Sequence, residues 1–374
     1  MTTLKTRIQT TLSKLILYLH SKFNTTPNEI KIHAALTKLY DNTNVTGQTL
    51  TKIIDYNELT GNIVIISDIH KGAGNSADDF KGNTFASSKV AYLNALNYYN
   101  NHNYTYIQLG DAEELWEANI NDIATAHADT YELEKQFVQK NKFLKVNGNH
   151  DSDWAYNYNG CTSEMLQTLY GNGVPIYEAV LLKITVNNSK LNILLTHGHQ
   201  GDRQSDGNKL SRWFVHNVWR GVQNYLGVNL NLLPSKYYEL RNKHNKVMYN
   251  WAITKQQTLL ITGHTHCPVF ASHTHINQLK MQLTSQDIKK DLEGYYSKQK
   301  RINALKINDI AVNEYEIKKP VYYNTGCACY SSGSITTLEI SAKGIHFAVW
   351  KNDGSRSGGD GLQFISFTDI INAL

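Results

Sequence analysis

The feature that most constrains this chain is a repeated one: short apolar runs that end abruptly in acidic residues, asparagine or histidine. "GNIVIISDIH" ends in Asp68 and His70, and "YTYIQLGDAEELWE" continues into Gly110 and Asp111. Runs of this length, rich in β-branched and aromatic residues, are typical of buried strands. Because such strands alternate with helical stretches, the sequence predicts an α/β fold whose strand-end loops carry the function.

Three further runs follow the same pattern: "NKFLKVNGNHD", "AVLLKITVNNSKLNILLTHGH" and "TLLITGHTHCPVF". The second is typical of a hairpin that turns at Asn187 and Asn188. The polar residues that end these three runs are Asn149, His150, Asp151, His197, His199, His264 and His266. A chain leaving a strand need not keep the alternation of the pleat, so two histidines separated by one residue can face the same point.

Composition excludes several classes of protein. The 374 residues are 18% charged and 41% hydrophobic, with five prolines and no low-complexity tract, so neither disorder nor a fibrous repeat is indicated. No run approaches the length of a membrane span. The apolar patch "LILYLH" near the N-terminus is interrupted by His20 and Lys22, and no cleavage site of a signal peptide follows it. These observations predict a cytoplasmic protein.

The four cysteines, Cys161, Cys267, Cys327 and Cys329, match neither a disulfide framework nor a zinc ribbon. We expect them to be reduced. The last two lie in "YYNTGCACY", which reads as a strand, and the alternation there favours core packing over metal binding.

Three segments fall outside the repeated units. The spacing of apolar residues in residues 1–55 predicts an N-terminal helical extension. Residues 272–319 are polar, lysine-rich and typical of a solvated insertion. Between residues 203 and 255 the chain carries nine basic and two acidic residues. Within that segment, "LSRWFVHNVWRGVQNYL" has the spacing of an amphipathic helix, with Arg212 and Arg220 away from the apolar stripe. We interpret residues 203–255 as a helical cap that contacts an anionic substrate through Arg203, Arg212 and Arg220, or that only packs.

The strand-end residues include seven oxygen or imidazole donors: Asp68, His70, Asp111, Asn149, His197, His264 and His266. One edge of a sheet can present them together, because parallel strands end at a common edge. Seven ligands suit two metal ions that share a bridging carboxylate, and Asp111 is the natural bridge. Two interpretations of His199 are open: a substrate contact, or a residue that closes the turn by hydrogen bonding. The metal-ligand role assigned to His197 is also open to exchange with His199.

Taken together, the motifs "SDIH", "GDAEE", "GNHD", "THGH" and "GHTH" resemble, in order, the five signatures of the calcineurin-like metallophosphoesterases. The resemblance spans Asp68 to His266 and implies a four-layer αββα sandwich over residues 56–374. It implies that Asp68, His70 and His266 hold one metal ion. Asn149, His197 and His264 would hold the other, with Asp111 bridging.

The same resemblance implies that His150 is the catalytic histidine, which contacts phosphate and protonates the leaving oxygen, and that Asp151 orients it. The cofactors implied are two divalent metal ions, with manganese expected first and iron, zinc or nickel as alternatives. The reaction implied is hydrolysis of a phosphomonoester or phosphodiester by metal-activated water. No serine or cysteine nucleophile is needed, in agreement with the lack of a nucleophile elbow.

The substrate stays open at this point. A phosphorylated small molecule, a nucleotide or a nucleic acid would each suit the basic segment, and a nuclease is therefore one alternative. The position of the cap also resembles that of UDP-2,3-diacylglucosamine pyrophosphatases, which have arginine where this chain has His150. A non-catalytic scaffold is the remaining alternative, although no ligand is missing. The sequence implies no protein partner.

Overall fold

The computed structural model of this chain describes most of the predicted units. The described residues are 27–42, 51–56, 61–76, 78–81, 86–186, 188–202, 238–274, 317–357 and 363–374. Within these ranges the helices are α1 Glu29–Tyr40, α2 Ser88–Asn101, α3 Ile120–Ala126, α4 Ala128–Gln139, α5 Asp153–Tyr156, α6 Ser163–Tyr170, α7 Tyr238–Ile253 and α8 Phe367–Ala373. None of the helices in this part of the chain is both long and apolar enough to cross a membrane.

The strands within the same ranges form two sheets. They are β1 Thr51–Tyr56, β2 Ile63–Ile66, β3 Thr105–Leu109, β4 Phe143–Val146, β5 Ile176–Tyr177, β6 Ala179–Val186, β7 Ser189–Thr196, β8 Thr258–Thr262, β9 Val269–Phe270, β10 His273–Thr274, β11 Tyr322–Asn324, β12 Ser334–Ser341, β13 Gly344–Lys351, β14 Arg356–Ser357 and β15 Phe364–Ser366. The first sheet has the order β1-β6-β7-β8-β11-β9-β10. The second has the order β14-β13-β12-β2-β3-β4-β5, with β15 paired to β13.

Parallel pairing in both sheets sets where the strand-end loops emerge. In the second sheet β2, β3, β4 and β5 run parallel, and in the first sheet β7, β8 and β11 do so. The central strand β2 is buried along its whole length and reads Ile-Val-Ile-Ile, as expected for a strand covered on both faces. The predicted hairpin is formed by β6 and β7, in which Val186 pairs with Ser189.

Four hydrophobic clusters form the core of the described residues, one of which joins α3, α4 and α6. One cluster draws its side chains from both sheets, including Ile65 and Leu338 of the second sheet and Leu182 and Leu195 of the first. A second cluster packs α2 and α4 against the second sheet. A third packs α1 and α7 against the first sheet. The mixed α/β class with two sheets is therefore confirmed, while the four-layer sandwich stays a prediction.

Local sequence accounts for several helix ends. The side chains of Asn28, Ser87, Thr162 and Ser366 each accept a hydrogen bond from a backbone N–H in the first turn of the helix that follows. Helix α6 ends at Gly171, which takes a positive φ of 75°. These caps pair backbone groups that the helix itself leaves without partners.

The predicted outer segments are described only in part. Of residues 1–55, the structure describes α1, which packs on the first sheet, and most of β1, which pairs in parallel with β6. Of the predicted cap, residues 203–237 lie outside the described residues. The rest of that segment includes α7, whose Met248 and Trp251 are buried in the cluster with α1. Residues 275–316 of the second predicted insertion also lie outside the described residues.

Candidate metal centre

The seven predicted ligands come together at one edge of the two sheets. Asp68 and His70 follow β2, Asp111 follows β3, and Asn149 follows β4. His197 follows β7 of the first sheet, and His264 and His266 follow β8. Direct hydrogen bonds join the two groups of loops: the backbone N–H of His264 donates to the Asp68 carboxylate at 3.0 Å, and His197 Nδ1 donates to the Leu109 carbonyl at 2.9 Å.

The backbone at these loops is held in a conformation that side chains rarely adopt. Positive φ values occur at five of the seven predicted ligands: Asp68, His70, Asp111, His264 and His266. A non-glycine residue in this region costs about 1–3 kcal/mol, which persists only where the surroundings impose it. Such strain in five ligands of one cluster is characteristic of a functional site rather than of ordinary turns.

Two glycines allow the loops to approach each other. A side chain at Gly148 would overlap the carboxylate and backbone of Asp111, and one at Gly263 would overlap Ser67 and the carboxylate of Asp68. Each glycine therefore serves close packing of a ligand against a neighbouring loop. This explains why "GNHD" and "GHTH" begin with glycine.

The two aspartates stand between the histidines. Asp111 Oδ2 lies 3.0 Å from His197 Nε2 and 3.8 Å from His70 Nε2, as a bridging carboxylate would. Asp68 Oδ1 lies 3.1 Å from His266 Nε2 and 4.0 Å from His70 Nε2. Both aspartates are buried. Asp68, His70 and Asp111 offer ligand atoms within 4.8 Å of one another, and so do Asp111, His197 and His264.

One buried atom supports the fit to metal ions. Among the described residues, Asn149 Oδ1 has no hydrogen-bond partner, whereas His197 Nε2 faces Asp111 Oδ2 at 3.0 Å. Buried polar atoms are almost always paired, so the amide oxygen of Asn149 is placed to bind a ligand from outside the chain. An amide oxygen, an imidazole and a carboxylate form a donor set suited to divalent transition metals. The residues present therefore fit such ions.

His150 is positioned by a residue other than the one predicted. Its Nδ1 and that of His70 each lie 2.8 Å from a different oxygen of the Glu114 carboxylate. The His150 ring also stacks on Trp116, with centroids 4.2 Å apart, and its backbone N–H donates to Asp111 Oδ1 at 2.8 Å. These contacts leave His150 Nε2 as the nitrogen available to a substrate.

The predicted pairing of Asp151 with His150 does not occur. The carboxylate of Asp151 instead accepts backbone N–H groups from Gly148 at 2.5 Å and Ala112 at 2.8 Å. It thereby holds the "GNHD" loop against the "GDAEE" loop and does not reach the imidazole. Burial raises the pKa of Asp151 to about 6, although the charge of Lys145 opposes this shift.

Carboxylates set the charge of the histidines that face them. Burial lowers the pKa of His70, but Glu114, Asp111 and Asp68 outweigh burial and raise that pKa to about 10. In the same way Asp68 raises the pKa of His266 to about 9 against the effect of burial. Burial also opposes the ionisation of Asp111, yet His197 and His150 hold its pKa well below the usual range. Without metal, these histidines carry protons that a cation would replace.

The histidines that face one another behave in the opposite way. Burial and the charge of His197 lower the pKa of His199 to about 3 and that of His244 to about 4, the latter against the backbone of Gly198. Burial and the charge of His244 likewise lower the pKa of His264. The Nδ1 atom of His199 has no hydrogen-bond partner among the described residues, while the carbonyl oxygen of His199 accepts the backbone N–H of Asp202 at 3.1 Å and closes the turn.

Three side chains that the sequence did not assign to the site lie beside the centre. His244 and Arg241 belong to α7, and Cys329 follows β11 with its Sγ 4.0 Å from His266 Nδ1. Strand β11 ends at Asn324, so the prediction that Cys327 and Cys329 lie in a strand is wrong. Strand-end position was the signal that identified the other loops, and applied to β11 it would have pointed to Cys329. No comparable signal marks a histidine within a helix.

The predicted substrate contacts of the cap are a separate matter. Arg203, Arg212 and Arg220 lie outside the described residues, as does the amphipathic helix predicted around the last two. Their roles stay predictions.

Comparison with known proteins identifies a family. The family model described as calcineurin-like phosphoesterase matches residues 61–268, which is more than half of the chain and includes all seven predicted ligands. No curated protein gives a significant match.

Solved structures give weaker likenesses. A conserved uncharacterised protein from Streptococcus pneumoniae TIGR4, titled a predicted phosphoesterase, is 11% identical, with 82% of this chain and 97% of that chain covered and a TM-score of 0.29. Vacuolar Protein Sorting 29 from Cryptosporidium parvum is 12% identical, with 82% and 98% covered and a TM-score of 0.30. With TM-scores this low, these two likenesses support no conclusion about the chain.

Proposed function

This chain belongs to the calcineurin-like phosphoesterase family of metal-dependent phosphoester hydrolases, and on that premise we propose that it is a binuclear enzyme that hydrolyses phosphomonoesters or phosphodiesters. The observation that carries the proposal is the position of Asp111 Oδ2, 3.0 Å from His197 Nε2 and 3.8 Å from His70 Nε2. One carboxylate between two imidazoles that come from different sheets is what a pair of cations would share.

The ligands divide between two ions as the motifs imply. Asp68, His70 and His266 would hold one ion, Asn149, His197 and His264 the other, and Asp111 both. Two divalent ions supply a water of lowered pKa and neutralise the charge on phosphate oxygens. Manganese is the ion we propose first, since carboxylate, amide and imidazole donors suit it.

The residues around the centre divide the remaining work. Glu114 accepts from Nδ1 of both His70 and His150, so the Nε2 atom of each ring faces the centre. His150 Nε2 would donate a proton to the departing ester oxygen, as a general acid. Trp116, stacked on the His150 ring, holds its plane in place. Burial of His150 excludes bulk water from this step.

Metal removal tests the proposal. Dialysis against a chelator should abolish hydrolysis of nitrophenyl phosphate and bis-nitrophenyl phosphate, and Mn²⁺ should restore it. Asp111→Asn should lower activity about 10⁴-fold, because several kcal/mol of charge stabilisation depend on the shared carboxylate. Metal content per chain should fall as well. The control is Asp122→Asn, which removes an exposed aspartate from α3 and should change neither quantity.

Unchanged activity in Asp111→Asn, or hydrolysis that survives chelation, would contradict the binuclear proposal. The same assay extended to nucleotides and single-stranded DNA separates the substrate alternatives. A nuclease should lose oligonucleotide affinity steeply as salt increases, because binding releases counterions. Cleavage of a UDP-sugar pyrophosphate would favour the pyrophosphatase alternative instead.

A further inference from the structure

Helix α7 contributes polar side chains to the centre that the proposed metal ligands do not need. His244 is buried, and apart from an interaction with the backbone of Gly198 its ring nitrogens have no hydrogen-bond partner among the described residues. Within the same part of the chain, the buried Nε of Arg241 also has none. Since buried polar atoms in native proteins are nearly always paired, these nitrogens are placed to bind a group that comes from outside the chain.

The two side chains reach the same loop from one face of the helix. Arg241 Nη1 lies 2.8 Å from Cys267 Sγ, and the His244 ring lies 5.2 Å from the ring of the predicted ligand His264. Between these contacts, Asn245 Oδ1 accepts hydrogen bonds from Thr265 at 3.4 Å and from Tyr322 at 3.0 Å. Residues three and four apart share a helix face, so α7 runs along the loop that carries the metal ligands.

The helix itself is firmly placed. Met248 and Trp251 are buried in the cluster with α1, and Trp251 Nε1 donates to Thr37 Oγ1 at 3.0 Å. His33 Nε2 lies 3.0 Å from the carbonyl oxygen of Val247. A side chain on such a helix is held in position more precisely than one on a loop. Arg241 and His244 are thus presented to the centre by a rigid element.

The charge of Arg241 indicates what it binds. Arginine is always protonated, and in the described part of the chain no carboxylate forms an ion pair with Arg241. Its side-chain contact there is the Sγ atom of Cys267. A guanidinium group binds carboxylate or phosphate through two parallel hydrogen bonds, and a neighbouring imidazole N–H can add a third.

We propose that Arg241 and His244 form a second anion subsite beside the metal centre, which binds a carboxylate or phosphate group of the substrate that does not react. The inference rests on the proposed function and narrows it to phosphoesters that carry a second anionic group. Binding at this subsite is remote from the reacting phosphorus, so it would select the substrate among other phosphoesters.

Two matched pairs of compounds test the subsite. Glycerol 2-phosphate and 2-phosphoglycerate differ by a carboxylate, and adenosine 5′-monophosphate and adenosine 3′,5′-bisphosphate differ by a phosphate. Each is measured as an inhibitor of nitrophenyl ester hydrolysis by the full chain loaded with Mn²⁺. In at least one pair, the compound with the second anionic group should bind the wild type at least about tenfold more tightly than the compound without it. The affinity ratio of a pair is the factor between these two binding constants. The pair that responds identifies the second group.

Variants locate the effect. Arg241→Gln should bring the affinity ratio of that pair close to one, and Arg241→Lys should leave an intermediate ratio, because the charge stays while the two-pronged geometry is lost. His244→Leu should lower the ratio and His244→Gln, which keeps an N–H donor, should lower it less. Lys246→Gln is the matched control: it removes one exposed positive charge from the same helix and should leave the ratio unchanged.

A wild-type ratio near one for both pairs would overturn the subsite, as would an equal loss in Lys246→Gln and Arg241→Gln. Melting temperature and metal content are measured for every variant, to show whether a change in the affinity ratio reflects unfolding or metal loss. If Arg241→Gln unfolds, the affinity ratio of Arg241→Lys tests the subsite in its place. If the Mn²⁺-loaded wild type hydrolyses no ester at all, the proposed function fails instead. Titration calorimetry with the same four compounds then measures the subsite without turnover.

Discussion

Two sides of the candidate centre treat histidine in opposite ways. On the carboxylate side, His70, His150 and His266 face Asp68, Asp111 and Glu114 at hydrogen-bonding or ion-pair distances. On the imidazole side, His199, His244 and His264 face one another, with ring centroids 5.2–6.5 Å apart for the pairs that include His264. The pKa of His70 is about 10, whereas that of His199 is about 3.

This difference shows on which side the polar atoms already have hydrogen-bond partners within the protein. The carboxylate side pairs its imidazoles with anions from the protein itself, so its geometry is set before any ligand binds. The imidazole side consists of neutral rings, and His199 and His244 keep nitrogens with no hydrogen-bond partner in the described residues. Burial lowers the pKa of a histidine, and nearby carboxylates outweigh that effect at His70 and His266.

The largest effect in this comparison is expected at His150, the histidine on the carboxylate side that is not a predicted metal ligand. His150→Ala should slow hydrolysis of alkyl phosphoesters about 10³-fold but slow nitrophenyl esters far less, because nitrophenolate departs without a proton. Rates on both ester types, with metal content as a check, measure this. Equal losses would assign His150 to phosphate positioning. His102→Ala, an exposed histidine, is the control.

A smaller effect is expected at Glu114, because it acts through two histidines. Glu114→Gln removes the charge that pairs with both His70 and His150, and it should cost about 10–100-fold in metal affinity or activity. Competition with a metal indicator measures the affinity. Glu132→Gln, at an exposed position of α4, serves as the matched control. A metal affinity unchanged by Glu114→Gln would show that the carboxylate side does not depend on this residue.

The smallest effect concerns the stability of the metal-free protein, and the two sides predict opposite limbs of its pH profile. The pKa values of His70 and His266 are raised to about 10 and 9, so their contribution is present below pH 6.5 and is lost as pH rises toward 10. The pKa values of His199 and His244 are lowered to about 3 and 4, so stability is also lost as pH falls from 6.5 toward those values. Each titrating group contributes at most about 1.4 kcal/mol per pH unit.

Thermal unfolding of chelator-treated protein between pH 3 and 10 measures both limbs, with a maximum expected near pH 6.5. Bound metal takes the place of the protons on the carboxylate side, so the alkaline limb should flatten when Mn²⁺ is present. A metal-free profile that is flat from pH 6.5 to 10 would contradict the charge assigned to His70 and His266. A weaker acid limb between pH 6.5 and 4.5 in His244→Leu would assign that part of the limb to the imidazole side, because the lowered pKa values of Asp111 and Glu114 cause loss of stability only at lower pH.

Much of the site could be predicted because its ligands follow short apolar strands. Asp68, Asp111 and Asn149 each stand at the end of a parallel strand of the second sheet, and the periodicity of those strands is local information. The hairpin of β6 and β7 was predicted for the same reason, from alternation and an asparagine turn. The orientation of Asp151 was not, since a carboxylate next to a catalytic histidine can point toward the ring or back to the backbone.

What the sequence by itself determined is the order of strand ends and the identity of the donors that follow them, because strand periodicity and ligand chemistry are properties of neighbouring residues. What only the tertiary structure decided is which groups meet: Asp68 with the backbone of His264, 196 residues apart, and Glu114 with both His70 and His150. Tertiary structure also brings Arg241 and His244 to the centre, because no sequence motif marks these two residues of α7. Packing of α7 on α1 and the first sheet places them there. Contacts of this kind depend on how sheets and helices pack, and burial and nearby charge then set the protonation of each group.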